Sequence, residues 1–266
     1  MLRKRKNMKV LMIGDVVGKA GINALEEKLE NIIKVYNIDF VIANIENASS
    51  NGINIKDFNR IDKLNIDAYT LGNHVWSKKD AFVIVKNKNV VRPANMYKGL
   101  PGKGYRVIEK EINGQKTKIA VINLLGRAGI NIMTDNPFSK AMETVKKVEN
   151  ETEYIFVDFH AEATAEVKTM GYMLDGKVTA VVGTHTHVQT ADEKILENKT
   201  AYITDIGMTG IHDSVIGMKK DIAIKRFLKC IPERYEPEQN GEKIISAVII
   251  DTDNAGRAIS IERINI

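Results

Sequence analysis

The chain of 266 residues holds one cysteine, Cys230, so no disulfide can close within it, which fits a reducing compartment. No apolar run approaches the roughly 18–20 residues of a membrane span. The basic start is followed by a short apolar run, residues 10–13, before Asp15, too little for a signal peptide. These absences predict a cytoplasmic protein with no membrane partner. Internal repeats, low-complexity tracts and long Pro/Gly/Ser linkers are missing too. With 44% hydrophobic and 27% charged residues, disordered, collagen-like, coiled-coil and disulfide-scaffold classes are excluded.

A real surplus of one charge sign is also lacking. There are 39 Lys+Arg against 34 Asp+Glu, a net +5. Four of the cations, Arg3, Lys4, Arg5 and Lys6, precede Met8, so the excess in the remainder falls to one. Residues 1–7 read as a basic, disordered tail, or as the product of an upstream start codon. Residues 8–266 read as one domain, and their charge makes no case for RNA. The oligomeric state stays open, a homo-oligomer included.

What is present is an alternation of short β-rich runs with helical periodicity, the pattern of an α/β layered fold. Strands are predicted at 9–13, 40–45, 68–71, 105–112, 118–124, 154–159, 180–182, 201–204, 244–250 and 258–264. Helices are predicted at 55–64, 139–148, 161–173 and 219–230, and where Leu25, Leu29, Ile32, Ile33 and Tyr36 share a face. Asn113-Gly114 between two of the strands signals a hairpin. Both halves contribute strands that end in polar residues, which suggests two packed sheets covered by helices.

Four of the five histidines, His74, His160, His185 and His187, follow directly on predicted strand ends. So do Asp15, Glu46, Asn47 and Asn73. In α/β folds ligands bind beyond the carboxyl ends of strands, where several loops converge. His185 and His187 lie two apart, so in an extended segment both rings would face one way; a polar turn is the plain alternative. His160 shares a strand face with Asp158, which could satisfy it as a buried histidine. Asn73 could equally cap a helix near Lys78. Gly14-Asp15-Val16-Val17-Gly18-Lys19-Ala20-Gly21 invites a phosphate-loop reading, but it has no Ser or Thr after Lys19 and lacks the G-x-G-x-x-G spacing. Mixed nitrogen and oxygen donors without thiolate suit Mn, Fe or Zn. Their number exceeds the need of one tetrahedral ion, so two ions are the economical account. Two ions about 3.5–4 Å apart clamp an in-line phosphoryl displacement.

The order Asp15, Glu46-Asn47, Gly72-Asn73-His74, His160 and Gly183-x-His185-x-His187 resembles the calcineurin-like metallophosphoesterases. Three positions depart from that superfamily: Val17 for a histidine, Glu46 for the bridging aspartate, and Val75 where an acid is usual after His74. Those departures, with Arg92-Pro93-Ala94-Asn95, Asp158-Phe159-His160-Ala161-Glu162 and the run from Gly183 to Asp192, resemble the YmdB-type bacterial cyclic-nucleotide phosphodiesterases, from about Met8 to the C-terminus. The resemblance implies a four-layer α/β/β/α sandwich with two iron or manganese ions. It implies Asp15, Glu46, Asn47 and His187 as ligands of one ion, and Glu46, Asn73, His160 and His185 as ligands of the other, with Glu46 bridging. It implies hydrolysis of 2′,3′- or 3′,5′-cyclic nucleotides by a hydroxide shared between the ions, with His74 protonating the leaving oxygen.

For substrate contacts the candidates are Arg92 to phosphate, Asn95 to a base, a Gly-rich loop at 205–210, and His212 at the periphery; Trp76 reads as core packing. Two rivals remain at this level. An amidohydrolase also uses His-x-His, but near the start of the chain, whereas here the pair comes late. A metal-stabilised nucleotide- or RNA-binding module with little turnover would fit the basic tail and the missing acid after His74.

Overall fold

The computed structural model describes residues 7–230 and 232–266; the predicted tail, Asn7 apart, lies outside them. In chain order the elements are β1 (Met8–Ile13), β2 (Asp15–Val16), α1 (Gly18–Tyr36), β3 (Phe40–Asn44), α2 (Ile55–Ile61), β4 (Ala68–Thr70), α3 (Ala81–Ile84) and β5 (Val90–Val91). A second run follows: β6 (Tyr105–Ile112), β7 (Gln115–Leu125), α4 (Pro137–Val148), β8 (Ile155–His160), α5 (Thr164–Leu174), β9 (Ala180–Thr184), β10 (Lys194–Ile195) and β11 (Ala201–Ile203). The chain then returns to the first sheet through β12 (Met208–Ile211), α6 (Lys220–Lys229), β13 (Lys243–Thr252) and β14 (Ala258–Asn265).

Strand alternation decides the layering. Val10, Met12, Phe40 and Ile42 of one sheet meet Ile119, Val121, Phe156, Ala180 and Val182 of the other in a core between them. Leu11 and Ile13 point the opposite way, onto Leu25, Leu29 and Ile32 of α1 and Phe58 and Ile61 of α2. On the far face of the second sheet Ile122, Leu124, Val157 and Phe159 meet Val145 and Val148 of α4 and Val167, Met170 and Leu174 of α5. Each fully buried side chain of this size contributes roughly 1.5–3 kcal/mol. Three apolar cores make four layers, helices–sheet–sheet–helices, the sandwich expected from the sequence.

The first sheet runs β2-β12-β13-β1-β3-β4-β5 with β14 added on β13, and the second runs β10-β11-β9-β8-β7-β6. Strands β1, β3, β4 and β5 are parallel neighbours, as are β7, β8, β9 and β11. Buried on both faces, such strands read as continuous apolar runs, which is why their polar ends stand out. The Asn113-Gly114 hairpin is present, with φ of 54° and 78° and Ile112 opposite Gln115.

Several details differ from expectation. The helix predicted from residue 161 begins at Thr164, and β2, β5, β10 and β12, of two to four residues, were not anticipated. The Gly-rich loop is corrected in part. Gly207 turns at φ 83°, and Met208–Ile211 then forms a strand between β2 and β13. That pairing comes from distant segments, so a local window does not reveal it.

Candidate metal centre

The carboxyl ends of β1, β3 and β4 from one sheet and of β8 and β9 from the other meet at a single edge. At the meeting point His160 Nε2 lies 2.9 Å from Asn73 Oδ1, 3.0 Å from Glu46 Oε1 and 3.0 Å from His185 Nδ1. Glu46, His160 and His185 form the group of side chains best placed to hold a cation among the described residues. Close approach here depends on Gly72, because an added Cβ would stand 2.5 Å from His160 Nε2 and nearer still to Glu46 Oε2. Gly183 has a similar role on β9, where a Cβ would run into the Thr204 carbonyl.

Each of the three clustered imidazoles spends one ring nitrogen on an outer partner. Thr184 Oγ1 donates to Asp158 Oδ1 at 2.7 Å and stands 2.9 Å from His160 Nδ1; Asp158 also accepts from Asn44 Nδ2 at 3.1 Å. This relay holds a proton on His160 Nδ1 and leaves Nε2 facing the cluster. His187 Nδ1 donates to the Ile216 carbonyl at 2.9 Å, and His185 Nε2 lies 3.1 Å from Glu162 Oε2. Outer partners of this kind orient histidine ligands in metal sites. His160 and Asp158 do share a face, but as members of this network rather than as a self-contained pair.

The premise of an extended His-x-His segment is corrected. β9 ends at Thr184, and His185 and His187 take φ of 112° and 65°, with Ile216 at 49°. Such values are costly for residues other than glycine. Asp205 holds the bend by accepting from Thr186 N–H and Oγ1 at 2.9 and 2.8 Å. Both rings still reach the cluster, through strain rather than alternation.

Asp15 and His187 occupy the other half. Asp15 Oδ2 accepts the His185 N–H at 3.0 Å, while Oδ1 is buried with no hydrogen-bond partner among the described residues. That oxygen lies 3.9 Å from His187 Nε2 and 3.8 Å from His160 Nδ1. Asn47 Nδ2 stands 3.2 Å from both Glu46 Oε1 and His187 Nε2, so the amide end of Asn47 lies among the same groups. Leaving a carboxylate oxygen buried without a donor is expensive unless a cation meets it. With three imidazoles aimed inward and no thiolate, the donor set fits borderline transition ions.

Electrostatics describe the same need. Burial pushes Asp15 well above the usual carboxylate range, against the pull of His160. Burial also opposes ionisation of Glu46, but His160 overrides it and holds the carboxyl at about 2. His160 is penalised by burial yet raised to about 9 by Glu46, Asp15 and Asp158. Burial, then the His160 charge, drives His185 down to about 3. One proton on His160 thus serves as the cation of an otherwise acidic cluster.

A cleft of about 800 Å³ opens onto the cluster and is lined by Glu46, Asn47, His74, His185 and His187 together with Arg226, Tyr235 and Pro237. The His74 N–H donates to Glu46 Oε2 at 2.9 Å, which seats this residue beside the cluster. Val75 is fully buried in the core beneath α1 and α2, so an acid there would be stranded. Val17 packs with Met208 and Met218. The substrate contacts expected of Arg92, Asn95 and His212 are corrected: none of the three lines the cleft. Arg92 is buried and donates to the carbonyls of Pro101, Pro93 and Leu100, and Asn95 is spent on Leu125 and Asp135. His212 is exposed at the end of β12. Trp76 packs against Phe82 at 5.0 Å. Asn44, Arg226 and Tyr235 were not singled out from sequence, and Glu162, Thr184 and Asp205 fell within noted strand-end segments without the roles they have here.

Known proteins share this arrangement of chain. The family described as YmdB-like protein matches residues 11–264. A 2′,3′-cyclic-nucleotide 2′-phosphodiesterase of Bacillus subtilis (strain 168) is 44% identical over 260 residues, covering 97% of this chain and 96% of that protein. The crystal structure of a phosphatase from Mycoplasma pneumoniae matches with a TM-score of 0.90 at 35% identity, over 98% of this chain and 93% of that one. A hypothetical protein from Thermus thermophilus matches with a TM-score of 0.88 at 34% identity, over 97% of this chain and 99% of that one.

Proposed function

The chain belongs to the YmdB-like protein family, and from that premise we propose a phosphodiesterase that uses two transition-metal ions to open cyclic nucleotides. It is a hydrolase, and the name of the Bacillus subtilis relative supports 2′,3′-cyclic nucleotides as its substrates; the 3′,5′-cyclic form is the second ester to try. Asp15, Glu46, Asn47 and His187 would hold one ion, and Glu46, Asn73, His160 and His185 the other. Iron or manganese suits this donor set. When bound, the pair supplies charge neutralisation at the phosphoryl group and a water of lowered pKa.

The observation that carries this reading is the convergence of three donors on His160 Nε2 within 3.0 Å beside the bare Asp15 Oδ1. The protein's own groups then do the following. The Thr184–Asp158 relay keeps the proton of His160 on Nδ1. The Ile216 carbonyl keeps the proton of His187 on its Nδ1. Glu46 anchors both the cluster and, through the His74 N–H, the residue that protonates the leaving ribose oxygen. Water adds to phosphorus and gives up a proton to solvent, the P–O bond to the ribose breaks, and His74 delivers the proton that the departing oxygen needs and is reprotonated from solvent.

Residues 8–266 are taken as one domain, because segments from both ends of the chain share the first sheet. A cytoplasmic location is favoured by the single exposed Cys230, and no helix of the described residues is long and apolar enough to cross a membrane. The proton-donor assignment is tested by His74→Ala. The variant is expected to keep its metal and to lose about 10²–10⁴-fold in kcat on 2′,3′-cAMP. Turnover at the parent rate would overturn the assignment.

A further inference from the structure

The cleft that reaches the acidic and imidazole groups is also lined by a flat cation with no place in the chemistry described above. Arg226 lies on α6, and its guanidinium carbon sits 4.5 Å from the centroid of the Tyr235 ring. Nη1 donates to the Glu233 carbonyl at 2.7 Å. Among the described residues no carboxylate forms an ion pair with this guanidinium, and its hydrogen bond is to a backbone carbonyl. Tyr235 in turn packs on Val17, Met208 and Met218. The guanidinium is therefore held at two points, by the ring and by the carbonyl, and both Arg226 and Tyr235 line the cleft that reaches Glu46 and His74.

We propose that Arg226, stacked on Tyr235, is the platform on which the nucleobase of the substrate lies while its cyclic phosphate reaches the cluster. This rests on the phosphodiesterase reading and extends it to substrate selection. A guanidinium that grips phosphate presents its donor fork. Here part of the fork is spent on a backbone carbonyl and one face is laid on an aromatic ring, an arrangement that suits stacking. Bases are held in this way on arginine planes and aromatic rings in nucleic-acid-binding proteins. The position of Val17 gains a purpose as well. The departure from histidine at this site supplies an apolar surface behind Tyr235 instead of a ligand. The chemical class selected is a nucleoside cyclic phosphate over a cyclic diester without a base, with purines favoured over pyrimidines by their larger stacking face.

The test compares kcat/KM for 2′,3′-cAMP with that for glycerol 1,2-cyclic phosphate, which keeps the strained cyclic diester and lacks the base. The parent is expected to prefer 2′,3′-cAMP, and Arg226→Ala to reduce the ratio about tenfold, within the range that stacking of one base supplies. Arg226→Lys is expected to behave like Arg226→Ala, because it retains charge and loses the plane. Lys225→Ala, one residue away and exposed, should leave the ratio at the parent value. Thermal unfolding of each variant checks folding, and if Arg226→Ala fails to fold, Arg226→Lys and Tyr235→Ala carry the comparison. Full recovery of the ratio in Arg226→Lys would refute the platform in favour of a plain charge contact. Equal parent kcat/KM on the two esters would refute it and leave the phosphodiesterase reading standing. Turnover of neither ester by metal-loaded parent would overturn that reading, and the platform with it.

Discussion

Replacing Gly72 by alanine adds one methyl group where the two sheets bring their donors together. The new Cβ would lie 2.5 Å from Cδ2 and Nε2 of His160 and nearer still to Glu46 Oε2. Attractive carbon contacts begin at about 3.5 Å, so one partner must retreat by roughly 1 Å. Neither does so cheaply. Glu46 Oε2 holds the His74 N–H at 2.9 Å, His160 Nδ1 is 2.9 Å from Thr184 Oγ1, and both side chains are fully buried. Overpacking of this kind costs about 1–3 kcal/mol, a fall of roughly 2–12 °C in Tm for a domain of this size. The effect on the site should be larger, since metal ligands tolerate departures of only about 0.2 Å and a 1 Å misplacement of reacting groups costs about 10²-fold in rate. Gly72→Ala is thus expected to fold with a lowered Tm, to bind less metal and to lose most of its turnover. Calorimetry, elemental analysis and hydrolysis of 2′,3′-cAMP read the three effects. A variant with parent metal content and parent rate would refute the packing argument.

Two other perturbations act on the histidines. Thr184→Val removes the hydroxyl between His160 Nδ1 and Asp158, and metal affinity by competitive titration should weaken about 10–100-fold; an unchanged affinity would show the relay to be idle. In metal-stripped protein the pH response follows from His160. Its folded pKa of about 9 exceeds the ordinary 6.5, so its contribution is complete below about 6.5 and is lost as pH climbs through 9. Asp205, raised by burial from 3.8 to about 7, adds a loss in the same direction that runs between those two values and so falls mostly below this window. Tm measured with chelator present should therefore fall from pH 7 to pH 10, and a rise would contradict the buried Glu46–His160 pair.

Much of the site was legible because of how parallel strands are buried. β1, β3, β8 and β9 are buried on both faces and, Asn44 and Asp158 apart, mostly apolar, so Asp15, Glu46, His160 and His185 appear as abrupt polar ends in the sequence. The four layers follow from the same runs together with the helical stripe of Leu25, Leu29 and Ile32. The means by which His185 and His187 face the cluster were hidden, because positive φ held by Asp205 leaves no periodic mark. The Ile216 carbonyl that orients His187 is backbone and carries no residue signature. Arg226 and Tyr235 reach the cleft only through the return of the chain after β12, more than 200 residues from Asp15. Arg92 shows the opposite failure: an arginine in a turn invites a phosphate reading, yet it is buried and each of its three guanidinium nitrogens donates to a carbonyl of its own loop.

A two-metal centre that cleaves cyclic phosphodiesters is decided by elemental analysis of protein purified without added metal, with the same sample assayed on 2′,3′-cAMP and 3′,5′-cAMP. About two iron or manganese ions per chain are expected, with turnover of 2′,3′-cAMP and joint loss of metal and turnover in Asp15→Asn and His185→Ala. Protein that binds neither ion after reconstitution with manganese or iron would contradict the centre itself. Full occupancy without turnover of either ester would contradict its assignment to cyclic nucleotides.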